Sequence, residues 1–123
     1  MTTHLFVYGT LRADGGHGHL LGGRRRVAAT TTGALWHLPA GYPALDVHGT
    51  GTVHGELVSG VDDALLDLLD HYEGVAEGLF RRTLHPVRAG RTRVDAWMYA
   101  MDHPDRRGGR PVPDGRWTRG LRR

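Results

Sequence analysis

The sequence predicts an α+β fold: a small mixed β-sheet or partly closed β-barrel with one main helix. Three observations lead there. A single stretch, Asp62 to Tyr72, repeats its apolar residues at helical spacing. Short runs rich in β-branched and aromatic residues lie on both sides of it. Nineteen glycines among 123 residues cut the remainder into short elements joined by tight turns.

Taken in order, Leu5-Phe6-Val7-Tyr8 is apolar throughout, the pattern of a strand buried on both faces, and Gly9 ends it. Ala13 to Gly23 is too rich in glycine for regular structure. Val27 to Leu38, centred on Thr30-Thr31-Thr32, reads as a second strand interrupted near Gly33. Gly41-Tyr42-Pro43 is a turn, and Thr52 to Val58 is a third strand closed by a Ser59-Gly60 turn. In the helix, Leu65, Leu68, Leu69 and Tyr72 fall at i, i+3, i+4 and i+7, with Asp62 as N-cap and Gly74 as stop. Phe80 to Val87 and Arg93 to Met101 form a hairpin that turns around Arg88-Ala89-Gly90-Arg91. Pro86 has no N–H to give a ladder, so the first of these two strands ends there or lies at an edge. The expected core is Leu5, Val7, Leu35, Leu57, Leu69, Leu84 and Trp97.

Length sets one domain's worth of chain, large enough to bury roughly two-thirds of its unfolded surface. There is no cysteine, which excludes disulfides, thiol catalysis and cysteine-ligated metals. The longest apolar run, Ala96 to Met101, is far too short to span a membrane. Met1-Thr2-Thr3-His4 has neither the basic nor the apolar region of a secretory signal, so a cytoplasmic location is expected. All sixteen basic residues are arginine. Seven of them fall in residues 106–123 against one acid, Asp114, whereas the preceding chain carries nine against twelve acids. The expected organisation is a domain body over 1–105 with a basic C-terminal segment, 106–123, belonging to it or flanking it. Such a segment is more often a solvated terminus than a nucleic-acid arm.

One residue does not fit its helix. At about 100° per residue, Leu68, Tyr72, Leu65, Leu69 and Leu66 span one arc, and Asp63, Asp67, Asp70 and His71 lie opposite, where a solvated face belongs. Glu73 lands between Leu69 and Leu66, inside the apolar arc. Either the helix frays and Glu73 turns to water, or its carboxylate projects into a pocket. Burial in a pocket would raise its pKa towards neutrality, and the negative end of the helix would push the same way. Pattern alone leaves both readings open. Tyr8-Gly9-Thr10-Leu11-Arg12 poses a similar choice. It is either a plain turn after a strand or a place where successive amides face an anion such as a carboxylate.

Tyr8-Gly9-Thr10-Leu11-Arg12 resembles the substrate loop of the γ-glutamylcyclotransferase-like family, in particular its AIG2-like branch of γ-glutamylamine and butirosin-pathway cyclotransferases. Leu69-Asp70-His71-Tyr72-Glu73-Gly74 is similar to that family's helix-end motif, which carries a catalytic glutamate. Lesser matches follow in order: Gly33-Ala34-Leu35-Trp36, Gly41-Tyr42-Pro43-Ala44-Leu45, Val53-His54-Gly55-Glu56-Leu57, Ala96-Trp97-Met98-Tyr99 and Pro111-Val112-Pro113-Asp114-Gly115-Arg116-Trp117. Together they run from about residue 5 to residue 117. The chain departs from the pattern at Val75, where the family often has an aromatic, and at Phe80, where it favours tyrosine.

The resemblance implies a cofactor-independent enzyme acting on a small-molecule γ-glutamyl amide. The substrate's α-amine would attack its own γ-carbonyl, releasing 5-oxoproline and a free amine. Glu73 would be the catalytic base and acid, and Tyr8, Gly9, Thr10, Leu11, Tyr42 and Phe80 would bind substrate. Tyr42 and Tyr99 would line the pocket by resemblance, yet turn and strand tyrosines are more often packing residues. The alternative is a non-catalytic binding module of the same fold, using the pocket or the arginine-rich segment. No metal site is expected, because His17-Gly18-His19 with Asp14 lacks ligand spacing. Serine hydrolysis is not expected either, since Ser59 is the only serine and has no nucleophile-elbow context. Neither membrane nor nucleic acid is an expected partner. The identity of the released amine and the oligomeric state are not written in the residues.

Overall fold

A computed structural model describes residues 3–9, 11–12 and 18–117. Along them run β1 (His4–Val7), β2 (Arg26–His37), β3 (Pro43–Ser59), α1 (Asp63–Tyr72), β4 (Arg81–Ala89), β5 (Thr92–Ala100) and β6 (Arg110–Pro111). Single 3₁₀ turns stand at Gly18–Leu21 and Pro104–Arg107. β1 pairs antiparallel with β3, β3 with β2, β2 with β4, and β4 with β5. A parallel contact between Leu5 of β1 and Trp97 of β5 completes the circuit. Five strands thus make a closed, barrel-like sheet with one helix outside it, and β6 extends the far end of β2. This is the α+β class that the sequence predicts.

β1 shows how the apolar pattern becomes architecture. Successive side chains of a strand point to opposite faces. Phe6 and Tyr8 join an interior cluster with Leu35, Leu45, Val53, Leu57, Val87 and Met98. Leu5 and Val7 join a second cluster beneath the helix, with Leu65, Leu66, Leu69, Phe80 and Tyr99. Both faces are covered from Leu5 to Val7, so that part of the strand is apolar throughout.

Several boundaries and faces differ from expectation. β3 begins at Pro43, nine residues before Thr52, because Ala44 and Leu45 already pair with Trp36 and Leu35. Its polar stretch Asp46–Thr50 lies where the register against β2 shifts between Gly33 and Ala34, which hides the strand's periodicity. The glycine-rich segment expected to lack regular structure contains the Gly18–Leu21 turn, with Leu21 fully buried. β4 runs through Pro86 and meets β2 only from Val87 onwards, so Pro86 lies on an edge. Leu84 is not core: it is half exposed on the outer face of that edge, while Trp97 opposite is partly buried. The C-terminal segment is not a solvated tail as far as Trp117. Val112 and Trp117 are buried in the interior cluster, and the Trp117 indole donates to His37 Nδ1 at 3.1 Å.

The helix face is also rotated from the expected arc. Leu65, Leu66 and Leu69 are buried, whereas Leu68 and Tyr72 are exposed. The buried arc is therefore narrower and centred about 30° further round, and Glu73 still falls inside it, between Leu69 and Leu66. Asp62 starts this helix by accepting the Leu65 N–H at 2.9 Å. Asp62→Ala is expected to cost about 1 kcal/mol of stability in urea unfolding, the usual worth of an N-cap.

Candidate active site

The site is built from the two chain segments that end β1 and α1. At the helix end Glu73 is the C-cap, and Gly74 follows with φ of +66°, a conformation that side-chain-bearing residues rarely adopt. The Gly74 N–H donates to His71 O at 3.2 Å and the Val75 N–H to Asp70 O at 3.0 Å. This paired closure of the last turn consumes the terminal carbonyls and sends the chain sharply away, so the helix does not fray at Glu73. At the end of β1, the Arg12 N–H donates to Gly9 O at 3.1 Å and closes a tight turn. A Cβ on Gly9 would stand 2.6 Å from Pro43 Cγ, so only glycine lets this turn pack against the start of β3.

Between the two ends lies a cavity of about 300 Å³. Of the residues singled out in the sequence, Glu73, Tyr8, Gly9, Leu11, Tyr42 and Phe80 all line it. Thr10, together with Asp14 and His17, lies outside the described residues. Tyr99, weighed as packing or pocket, is both buried and part of the wall. Leu79 and Pro43 complete the apolar wall around the Tyr42 and Phe80 rings, whose centroids are 6.0 Å apart. Tyr72 also lines the cavity and is 41% exposed.

Glu73 is the one carboxylate among the described residues of that lining. Among the described residues its carboxyl group has no hydrogen-bonding partner, and burial alone pushes its pKa up to about 7. The two phenols beside it are committed elsewhere. Tyr8 donates its O–H to the Tyr99 carbonyl and accepts the Leu45 N–H at 3.3 Å. Tyr99 donates to Asp70 Oδ1 at 2.7 Å. Burial first, then the neighbouring carboxylates, hold both phenols far above the ordinary tyrosine range, so both remain neutral. Such an arrangement offers a bound molecule one proton-exchanging group set in otherwise apolar walls.

Behind the site stands an ion pair that the helical wheel assigned to solvent. Arg82 of β4 clasps Asp70 through two N–H groups on one edge of its guanidinium, Nε to Oδ1 at 2.7 Å and an Nη to Oδ2 at 3.2 Å. Its guanidinium lies 4.4 Å from the centre of the Trp97 ring. Asp70 sits at the border of the polar arc. Its partners are on β4 and β5, so no periodicity within the helix could announce them. Among the described residues no group of three His, Asp or Glu side chains is arranged to hold a metal ion. No described helix is long and apolar enough to cross a membrane.

The model of the gamma-glutamyl cyclotransferase, AIG2-like family matches residues 5–119. The chain belongs to that family. It is 34% identical over 105 residues to the gamma-glutamylcyclotransferase family protein ytfP of Citrobacter rodentium, covering 81% of this chain and 82% of that one. Among solved structures, an AIG2-like protein of Mus musculus overlays with a TM-score of 0.65 at 26% identity, covering 81% of this chain and 77% of that one. YkqA of Bacillus subtilis overlays with a TM-score of 0.74, also at 26% identity, across 95% of this chain. The match spans only 40% of the YkqA chain. Family membership supports a function of the cyclotransferase type.

The raised Glu73 pKa has a consequence for stability. The folded protein keeps this proton up to about pH 7, whereas an unfolded chain loses it near the ordinary glutamate value. Stability contributed by the neutral form is therefore complete in acid and is lost as pH rises to 7. Glu73→Gln is expected to melt like the wild type at pH 4 and higher than it at pH 8. The gain should be on the order of 1–2 kcal/mol, less than the full shift implies, because solvent screens a residue that is only partly buried. Thermal melts at the two pH values check this.

Proposed function

We propose that the chain is a γ-glutamyl cyclotransferase that converts a γ-glutamyl amide into 5-oxoproline and a free amine. The observation that carries this reading is Glu73: a carboxylate in an apolar cavity, without a hydrogen-bonding partner among the described residues, with a pKa near the pH at which it would work. Family membership supports the reaction type.

The chemistry needs a proton taken, a chain folded back and a proton returned. Bound substrate carries an α-ammonium, which has no lone pair. Ionised Glu73 accepts one of its protons, and the freed amine attacks the γ-carbonyl carbon. A C–N bond forms, the carbonyl electrons move to oxygen, and a five-membered tetrahedral intermediate results. Protonated Glu73 then gives its proton to the amide nitrogen, so that when the old C–N bond breaks an amine leaves rather than an amide anion. The ring nitrogen's extra proton returns through the same carboxylate to the departing amine. Atoms and charge balance with no other reactant.

The turn after β1 would hold the α-carboxylate on the amides of Gly9, Thr10 and Leu11. The turn-closing bond uses the Arg12 N–H and leaves that of Leu11 outside it. Anchored there, the substrate is bent so that amine and carbonyl meet, and oriented ring closures reach effective molarities on the order of 10⁵ M or more. Tyr8 would serve as a wall, since its hydroxyl is occupied within the protein. Tyr42 and Phe80 would face the amine portion.

Glu73→Gln is expected to lower 5-oxoproline release on the order of 10²–10⁴-fold while the protein still folds. In the wild type, kcat/KM should climb with a midpoint near pH 7 as the carboxylate ionises. Full turnover by the glutamine variant would remove Glu73 from the reaction and favour a binding module.

The apolar walls also bear on the released amine. No described lining residue offers a cation to an acid on the leaving portion. γ-Glutamyl-phenethylamide should therefore exceed γ-glutamyl-phenylalanine, which adds only a carboxylate, by about tenfold or more in kcat/KM. Equal rates for the two compounds would count against an apolar amine site.

A further inference from the structure

Arg26, the first residue of β2, makes three contacts with three different parts of the chain. One guanidinium nitrogen donates to Leu11 O at 2.8 Å and to Glu56 Oε1 at 3.1 Å. The other donates to Gly18 O at 2.7 Å. Its side chain is 14% exposed and that of Glu56 25%. Leu11 lines the cavity and belongs to the turn that ends β1. Gly18 starts the 3₁₀ turn, and Glu56 lies on β3 opposite both Val7 and Ala28. A half-buried cation of this kind is expensive without a counter-charge, and Glu56 supplies one. The planar fork is what allows one side chain to reach a carboxylate and two carbonyls at once. A lysine ammonium has no such fixed geometry.

Besides the Leu11 side chain, which is buried in the core beneath the helix, the cavity-lining turn is held at its two ends. Pro43 packs against Gly9, and Arg12 reaches Trp117 O at 2.6 Å. Leu11 between them is held by Arg26. We propose that Arg26 is a positioning residue: its guanidinium, braced by Glu56, fixes the Leu11–Arg12 peptide and with it the turn whose Gly9 and Leu11 amides grip the substrate's α-carboxylate. The inference rests on the proposed cyclotransferase reading, and it identifies a specificity element that touches no substrate atom. The arginine sets binding of the glutamyl half, while proton exchange stays with Glu73.

The experiment compares wild type, Arg26→Ala and Arg26→Lys in three measurements. First, steady-state kinetics on a γ-glutamyl amide should show KM raised at least about tenfold in both variants, with kcat within about threefold. The pH midpoint of kcat should be unmoved. Second, inhibition by 5-oxoproline, which keeps the same carboxylate, should weaken by a factor similar to that for KM. Third, amide hydrogen exchange at Arg12, whose N–H closes the turn, should quicken at least about tenfold, and this reading needs no activity. Thermal melts confirm that each variant is folded. Should Arg26→Ala fail to fold, Arg26→Lys and Glu56→Gln decide the matter through the same measurements.

Unchanged KM and exchange would overturn the inference. So would a loss carried by kcat with a displaced pH midpoint, or full rescue by lysine, which would reduce the role to charge. A wild type that releases no 5-oxoproline, with exchange still quickened in the variants, would instead count against the cyclotransferase reading and leave the turn's anchor standing.

Discussion

The way α1 ends governs the site. A helix must dispose of its last carbonyls, and here the paired bonds from Gly74 and Val75 do so within a single turn. That closure fixes the direction in which the preceding residue points. Since the preceding residue is Glu73, a local backbone requirement becomes the placement of a carboxylate against apolar walls. The barrel supplies those walls, and the tight turn after β1 supplies the opposite side. Loosening the helix end would let the carboxylate reach water, and its elevated proton affinity would vanish with it.

Holding α1 in register is the task of groups outside the cavity. Asp70 lies one turn before Glu73 and is gripped by Arg82 on β4 and by the Tyr99 hydroxyl on β5. This couples the helix to the β4–β5 hairpin through partly buried, charge-assisted bonds. The same tyrosine presents its ring to the cavity, so one side chain shapes the pocket and locks the element that carries the acid.

Much of this arrangement is legible in the linear chain, and the reasons for success and failure are physical. Glu73 stands out because helical periodicity is a local property, and a carboxylate inside an apolar arc breaks it. β1 is legible because Leu5 to Val7, buried on both faces, are all apolar. The order of the motifs from residue 5 to residue 117 carries the family. Leu84 misleads because alternation tells which residues share a face but not whether anything covers that face. Asp70 and Arg26 escape notice because their partners are distant along the chain: residues 82 and 99 for one, and 11, 18 and 56 for the other. β3 starts earlier than its pattern suggests because a register shift against β2 conceals its first half. Val112 and Trp117 lie among arginines, whose charge masks two apolar anchors of the barrel interior.

The phenol of Tyr8 reinforces the seam where β3 and β5 run side by side. Where β1 ends, its hydroxyl bridges the Tyr99 carbonyl and the Leu45 amide, two main-chain groups of β5 and β3. Phenylalanine there would keep the ring and lose both bonds from this interior tie, a cost of roughly 1–3 kcal/mol. Tyrosine at this place in other chains of similar fold would thus report on barrel integrity, whether or not any ligand ever meets the oxygen.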